Sequence, residues 1–337
     1  MTGDSQRRAA ALLEVLGVYL AGPIAMYGLR RWIGLSLTNP LNNLTVNVSS
    51  ADLVTASGQL FMLLVFGNAG YFILAGPLNW WYRRRGPAGY GLTKAGHDWT
   101  MLILAGLGAA CFFEWPVVSV GLLNLIHPGP TVPWREALFA MSWRRWQFWL
   151  FSGVLSWAGA PFFEELFYRG YCQRRLAEDW GDGPAVFGAA CLFTFSHGQY
   201  LRLDAYNLGM IIGLLLSAIG FGLVFAWTRS LIPSMIAHAV FDIPLTPIGQ
   251  GLLLAGLIIG AIVVRRRSVL TIKQIVSSDS TTACIALGIL AAAYAVLASL
   301  LETPIYLLSI GILALAVFLE VKDRRANRAE NYVSVSS

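Results

Sequence analysis

Seven residues in an otherwise apolar chain have the types and spacings that chemistry needs. Glu164, Glu165 and Arg169 stand together in EELFYR, directly after the apolar run WLFSGVLSWAGAPFF. A charge inside hydrocarbon costs at least about 2.5–3.5 kcal/mol, even on insertion scales. His197 closes FTFSH four residues after Phe193, and His238 opens HAVFD four residues before Asp242. On a helix, positions i and i+4 share a face. Glu165 can therefore pair with Arg169, Phe193 can meet His197, and His238 can bond Asp242. Glu164, rotated by about 100° from Glu165, is free to point into the interior. Glu164, His197 and His238 are a Glu plus two His set of the kind that holds zinc, although the chain contains no HExxH.

The elements that position these groups must be membrane helices. The chain of 337 residues is 56% hydrophobic and 12% charged, where a soluble domain is nearer about a quarter charged. Its apolar stretches approach the roughly 20 residues that cross a bilayer, and backbone in lipid must bond internally, hence as helix. The expected fold is all-α, a polytopic transmembrane bundle of about 8–10 spanning helices. Segments fall near 10–28, 57–81, 98–126, 146–168, 184–198, 206–228, 231–244, 249–264, 282–300 and 304–321. The fifth and seventh are short, as helices buried in a bundle can be. Glu164 and Glu165 would then close the fourth. Alternating segments with both termini cytoplasmic put most of the 24 Lys and Arg on the inner side, as the positive-inside rule requires. The net charge of +6 thus reads as topology, with no nucleic-acid partner. Cys111, Cys172, Cys191 and Cys284 show no CxxC spacing and read as small packing residues. Three regions follow: N-terminal transmembrane helices over 1–140, a catalytic helical core over 141–248, and C-terminal transmembrane helices with a cytoplasmic tail over 249–337.

The three motifs, in this order and separation, resemble the CPBP family of intramembrane proteases, which includes the CAAX prenyl endopeptidases and the abortive-infection proteins. The run RSLIPSMIAH leading into the third motif also resembles that family, and the likeness covers roughly residues 145–245. It implies an intramembrane glutamic endopeptidase without cofactor or metal. Glu164 would be general base on a water, His197 would hold that water, and His238 with residue 242 would stabilise the oxyanion. Glu165 and Arg169 would secure the helix end, with Phe193 supporting His197. The implied partners are the lipid bilayer and a peptide or membrane-protein substrate, prenylated or not, cleaved near the cytoplasmic face. The implied location is a cell membrane, the inner one in a bacterium. Residue 242 is Asp where the family often has Asn. An ionised Asp cannot donate to an oxyanion, so Asp242 is expected to orient His238 and favour its protonated form.

Other readings compete at the level of residues. A zinc-dependent protease would use the same Glu and His side chains as ligands. A non-catalytic immunity or transport protein would use them as a proton relay, though no inverted repeat of the transporter kind is visible. A serine mechanism is weaker still. There is no GxSxG, and Ser196, the residue before His197, should face elsewhere. Glu14 and Glu114 each stand alone in an apolar helix and suggest helix packing.

Overall fold

The structure, a computed structural model, describes residues 3–32, 49–79, 87–113, 146–154, 160–200 and 205–242, with positions 255, 256 and 259. The expected segments at 282–300 and 304–321, nearly all of the one at 249–264, and Glu114 lie outside the described residues.

Regular structure among the described residues is entirely helical. The order is α1 (Gly3–Trp32), α2 (Ser50–Pro77), a 3-10 turn (Pro87–Tyr90), α3 (Trp99–Phe113), α4 (Trp146–Gly153) and α5 (Ala160–Glu165). A π-helix (Leu166–Gln173) continues α5 and leads into α6 (Arg174–Trp180). Then come α7 (Asp182–Phe195), a 3-10 turn (Gly198–Tyr200), α8 (Ala205–Thr228) and α9 (Leu231–Phe241). Two stretches, Ser50–Phe72 and Gly209–Thr228, are long and apolar enough to cross a membrane, and α7 and α9 are shorter apolar helices. With the composition, these helices describe a membrane protein.

Local chemistry starts the helices where the sequence changes character. Ser49 Oγ accepts from the Asp52 N–H at 3.1 Å and donates to the Asp52 carboxylate at 2.6 Å, a reciprocal cap on α2. Asp98 Oδ1 accepts from the Met101 N–H at 2.6 Å and caps α3. After α8, Arg229 adopts a left-handed φ of 55°, and Ser230 caps α9 by accepting from the Ile232 N–H at 3.3 Å. Pro233 sits in the first turn of α9, where its missing N–H costs no helix bond.

The motif EELFYR does not close its helix. The described helix from Ala160 carries Glu164 and Glu165 and continues through the π segment to Trp180. The fall in hydropathy after Tyr168 marks a change of surroundings, while backbone hydrogen bonding carries on. Arg169 is fully buried.

The main core brings together Val15, Leu16 and Tyr19 of α1, Phe167, Tyr168 and Tyr171 of the π segment, and Ala189 and Phe193 of α7. Close approach is possible where side chains are missing. A Cβ on Gly106 of α3 would stand 2.7 Å from the Ile236 Cβ and 2.9 Å from the Pro233 carbonyl oxygen of α9. A Cβ on Gly170 would stand 2.7 Å from the Tyr90 carbonyl oxygen. These contacts press α3 onto α9 and the Pro87–Tyr90 turn onto the π segment. Cys172 and Cys191 are buried free thiols, as packing residues would be.

Candidate active site

Helices α5 and α9 bring the first and third motifs into contact. His238 Nδ1 lies 2.8 Å from Glu165 Oε1, and Arg169 Nη1 donates to the same oxygen at 2.8 Å. The Nδ1 proton therefore belongs to the bond with Glu165. Glu165 and Arg169 are both completely buried, so the pair is a rigid support shielded from water. His238 Nε2 points the other way. It stands 3.9 Å from Glu164 Oε2 and 3.6 Å from Asp242 Oδ2. These are ion-pair distances, too long for direct hydrogen bonds and of the span that a water or substrate atom bridges. The Glu164 side chain keeps 18% exposure and Asp242 keeps 22%. The two glutamates thus divide: Glu165 is wholly enclosed and bonded, while Glu164 keeps part of its side chain accessible and its Oε2 buried without a hydrogen-bond partner.

This geometry corrects one expectation. Glu165, through the Nδ1 bond, orients the His238 ring, and Asp242 lies on the Nε2 side. Spacing within HAVFD made Asp242 the natural partner, but the buried carboxylate across the helix interface comes closer. With Nδ1–H committed to Glu165, Nε2 can donate only when the ring is an imidazolium, and Glu164 and Asp242 flank that position with counter-charge.

Arg169 is held from several sides. Its Nη2 donates to the Ala218 carbonyl of α8 at 2.8 Å, and one turn further Gln173 Nε2 donates to the Gly222 carbonyl at 2.9 Å. The guanidinium carbon sits 4.8 Å from the Phe193 ring centre and 5.3 Å from that of Phe221, within cation–π range. Phe221 also stacks on His238, with ring centres 4.8 Å apart and planes 16° from parallel. The π geometry serves this arrangement. Arg174 N–H bonds to the Arg169 carbonyl, five residues back. The wider turn brings residues spaced by four into line, so Glu165, Arg169 and Gln173 form one column against α8 and α9. π segments inside helices are frequently found at functional sites.

The second motif supplies the other histidine. His197 Nδ1 lies 2.9 Å from the Phe193 carbonyl oxygen. A carbonyl only accepts, so Nδ1 carries the proton and Nε2 is left as an acceptor. The Phe193 ring contacts both imidazoles, with centres 4.8 Å from His197 and 5.5 Å from His238. Ser196 does not face away as expected. Its Oγ lies 3.4 Å from His197 Nδ1 and donates to the Phe193 carbonyl at 2.6 Å. That proton goes to a carbonyl, and the neighbouring imidazole nitrogen is itself protonated, so His197 Nδ1 cannot act as its base.

Among the described residues, no three His, Cys, Asp or Glu side chains converge in a way that could hold a metal ion. Residue types alone left that reading open. Glu14 is not the solitary acid that its segment suggested, since Tyr171 and Arg175 both bond to it. Sequence reasoning also missed Phe221, Ala218 and Gly222. They lie in an unbroken apolar helix and contribute a ring face and two backbone carbonyls, none of which leaves a mark in sequence.

Residues 145–244 match the family described as type II CAAX prenyl endopeptidase, Rce1-like. This match covers 100 of the 337 residues, so the likeness is to that segment. Neither a comparison with curated proteins nor one with solved structures gives a match. The Rce1-like segment spans α4 to α9 and contains all seven residues singled out by type and spacing. Helices α1 to α3 lie outside it, although α1 and α3 pack directly against it.

Proposed function

We propose that this chain is an intramembrane endopeptidase of the CAAX-protease kind, hydrolysing a peptide bond near the cytoplasmic face with a glutamate-activated water. Glu164 takes a proton from the water. The hydroxide oxygen bonds to the carbonyl carbon while the carbonyl oxygen takes up negative charge. His238 Nε2–H, with Asp242 beside it, meets that charge. Collapse breaks the C–N bond, and the proton on Glu164 passes to the leaving amine. His197, an acceptor at Nε2, holds the water. Peptide, free or part of a membrane protein and prenylated or not, is the substrate class. Cytoplasmic termini and multiple passes complete this reading.

The observation that carries it is the unequal burial of the paired glutamates. Glu165 is 0% exposed and bonded to Arg169 and His238, while Glu164 is 18% exposed with its Oε2 near His238 Nε2. A base must reach water, and donors aimed at developing charge are usually the largest catalytic contribution.

The test compares wild type with Glu164→Gln, both purified in detergent, on quenched-fluorescent peptides that include a farnesylated CAAX peptide. Loss of Glu164 is expected to lower kcat by about 10²–10⁴-fold, with wild-type cleavage unchanged by a strong chelator. Cleavage abolished by chelator and restored by zinc would overturn the glutamic mechanism. A folded wild type that cleaves none of the panel would count against peptidase activity on these substrates.

A further inference from the structure

Helix α1 lies outside the Rce1-like segment, yet it grips the helical run that bears Glu164. Tyr171 Oη donates to Glu14 Oε1 at 2.8 Å, and Arg175 Nε donates to Glu14 Oε2 at 3.0 Å. Arg175 is in turn held by Asp179 at 2.5 Å and approaches Glu178 at 3.6 Å. A second tie lies further along. Arg8 Nε donates to the Asp179 carbonyl at 3.1 Å, and Trp180 Nε1 donates to the Arg8 carbonyl at 2.9 Å. The Glu14 side chain is 17% exposed and that of Arg175 10%, so water competes little for these bonds.

The place of the grip matters. Residues 171 and 175 straddle the junction where the π segment ends at Gln173 and α6 begins at Arg174. A π segment is an uncommon conformation. Were it to relax to ordinary α geometry, residues before and after the junction would rotate relative to each other by up to about 100° per residue of register lost. Arg169 and Gln173 are anchored to α8 carbonyls, while Tyr171 and Arg175 are anchored to Glu14. Both sets of bonds form together only in the register observed. The same register puts Glu165 on His238 and leaves Glu164 on the accessible side.

We propose that Glu14 is a positioning residue for the candidate base: from α1 it clamps the π-to-α junction and so sets where Glu164 stands relative to His238. This rests on the assignment of Glu164 as base, but the clamp itself is measurable without activity. Hydrogen exchange of the full chain in detergent would be compared for wild type, Glu14→Ala and Glu14→Gln. Glu14→Ala is expected to speed exchange at the amides of residues 166–175 by about tenfold or more, with α8 and α9 unchanged. Glu14→Gln, which keeps one acceptor oxygen, should fall between. On a cleaved peptide, kcat should fall about tenfold in Glu14→Ala with KM held within about twofold. Unchanged exchange over 166–175, or faster exchange spread evenly over α7 to α9, would overturn the clamp. A local exchange effect with unaltered kcat in a cleaving enzyme would overturn its positioning role. If wild type cleaves no peptide, exchange still decides the clamp, and only the assignment of Glu164 fails.

Discussion

His238 Nδ1 meets Glu165 Oε1 at 2.8 Å across the interface of α5 and α9, joining the first motif to the third through the glutamate that water does not reach. The adjacent Glu164 is left on the open side of the same ring. Two neighbouring identical side chains thereby acquire different surroundings.

Glu165→Gln tests that division. An amide oxygen can still accept one hydrogen bond, but the charge that balances Arg169 and His238 is gone. Removing one member of a buried pair typically destabilises by about 3–5 kcal/mol. The variant should unfold in detergent at lower temperature and lose most of its cleavage. Glu164→Gln, whose partner distances are longer and whose side chain is more open, should unfold close to wild type while being equally inactive. Thermal scans and cleavage assays on the two variants side by side check this, and equal loss of stability in both would contradict it.

Arg169 packed between Phe193 and Phe221 gives a second expectation. A lysine can keep the charge but cannot bond Glu165 and the Ala218 carbonyl while lying over two rings, because it lacks the planar fork of donors. Arg169→Lys should therefore be markedly destabilised. Phe221→Ala removes the ring stacked on His238 and leaves a cavity, at a cost of about 3–5 kcal/mol. Phe221→Leu, which fills the volume, should recover stability yet remain slower in kcat, since the imidazole loses its flat neighbour. Chemical denaturation and steady-state kinetics separate the two effects.

Ser196 provides a negative control. Its hydroxyl donates to the Phe193 carbonyl beside His197, which steadies the ring without contributing a nucleophile. Ser196→Ala should keep cleavage within about threefold, the scale of losing one ordinary hydrogen bond. Complete loss in a folded Ser196→Ala protein, or covalent labelling of Ser196 by a fluorophosphonate, would restore the serine mechanism.

The sequence by itself determined the helical class and the chemical vocabulary. Composition required membrane helices, and EELFYR, FTFSH and HAVFD named every ionisable residue of the candidate site. Spacing of four foretold the Glu165–Arg169 pair, because contacts within one helix follow from helical geometry. What it could not contain was any relation between helices. That Glu165 rather than Asp242 holds His238, that Phe221 lies under the ring, and that Glu14 reaches Tyr171 and Arg175 all depend on how α1, α8 and α9 pack around the motif helix. The π segment lies between these levels. Its residues read as ordinary helix, and its side chains bond on two faces, to α8 and to α1.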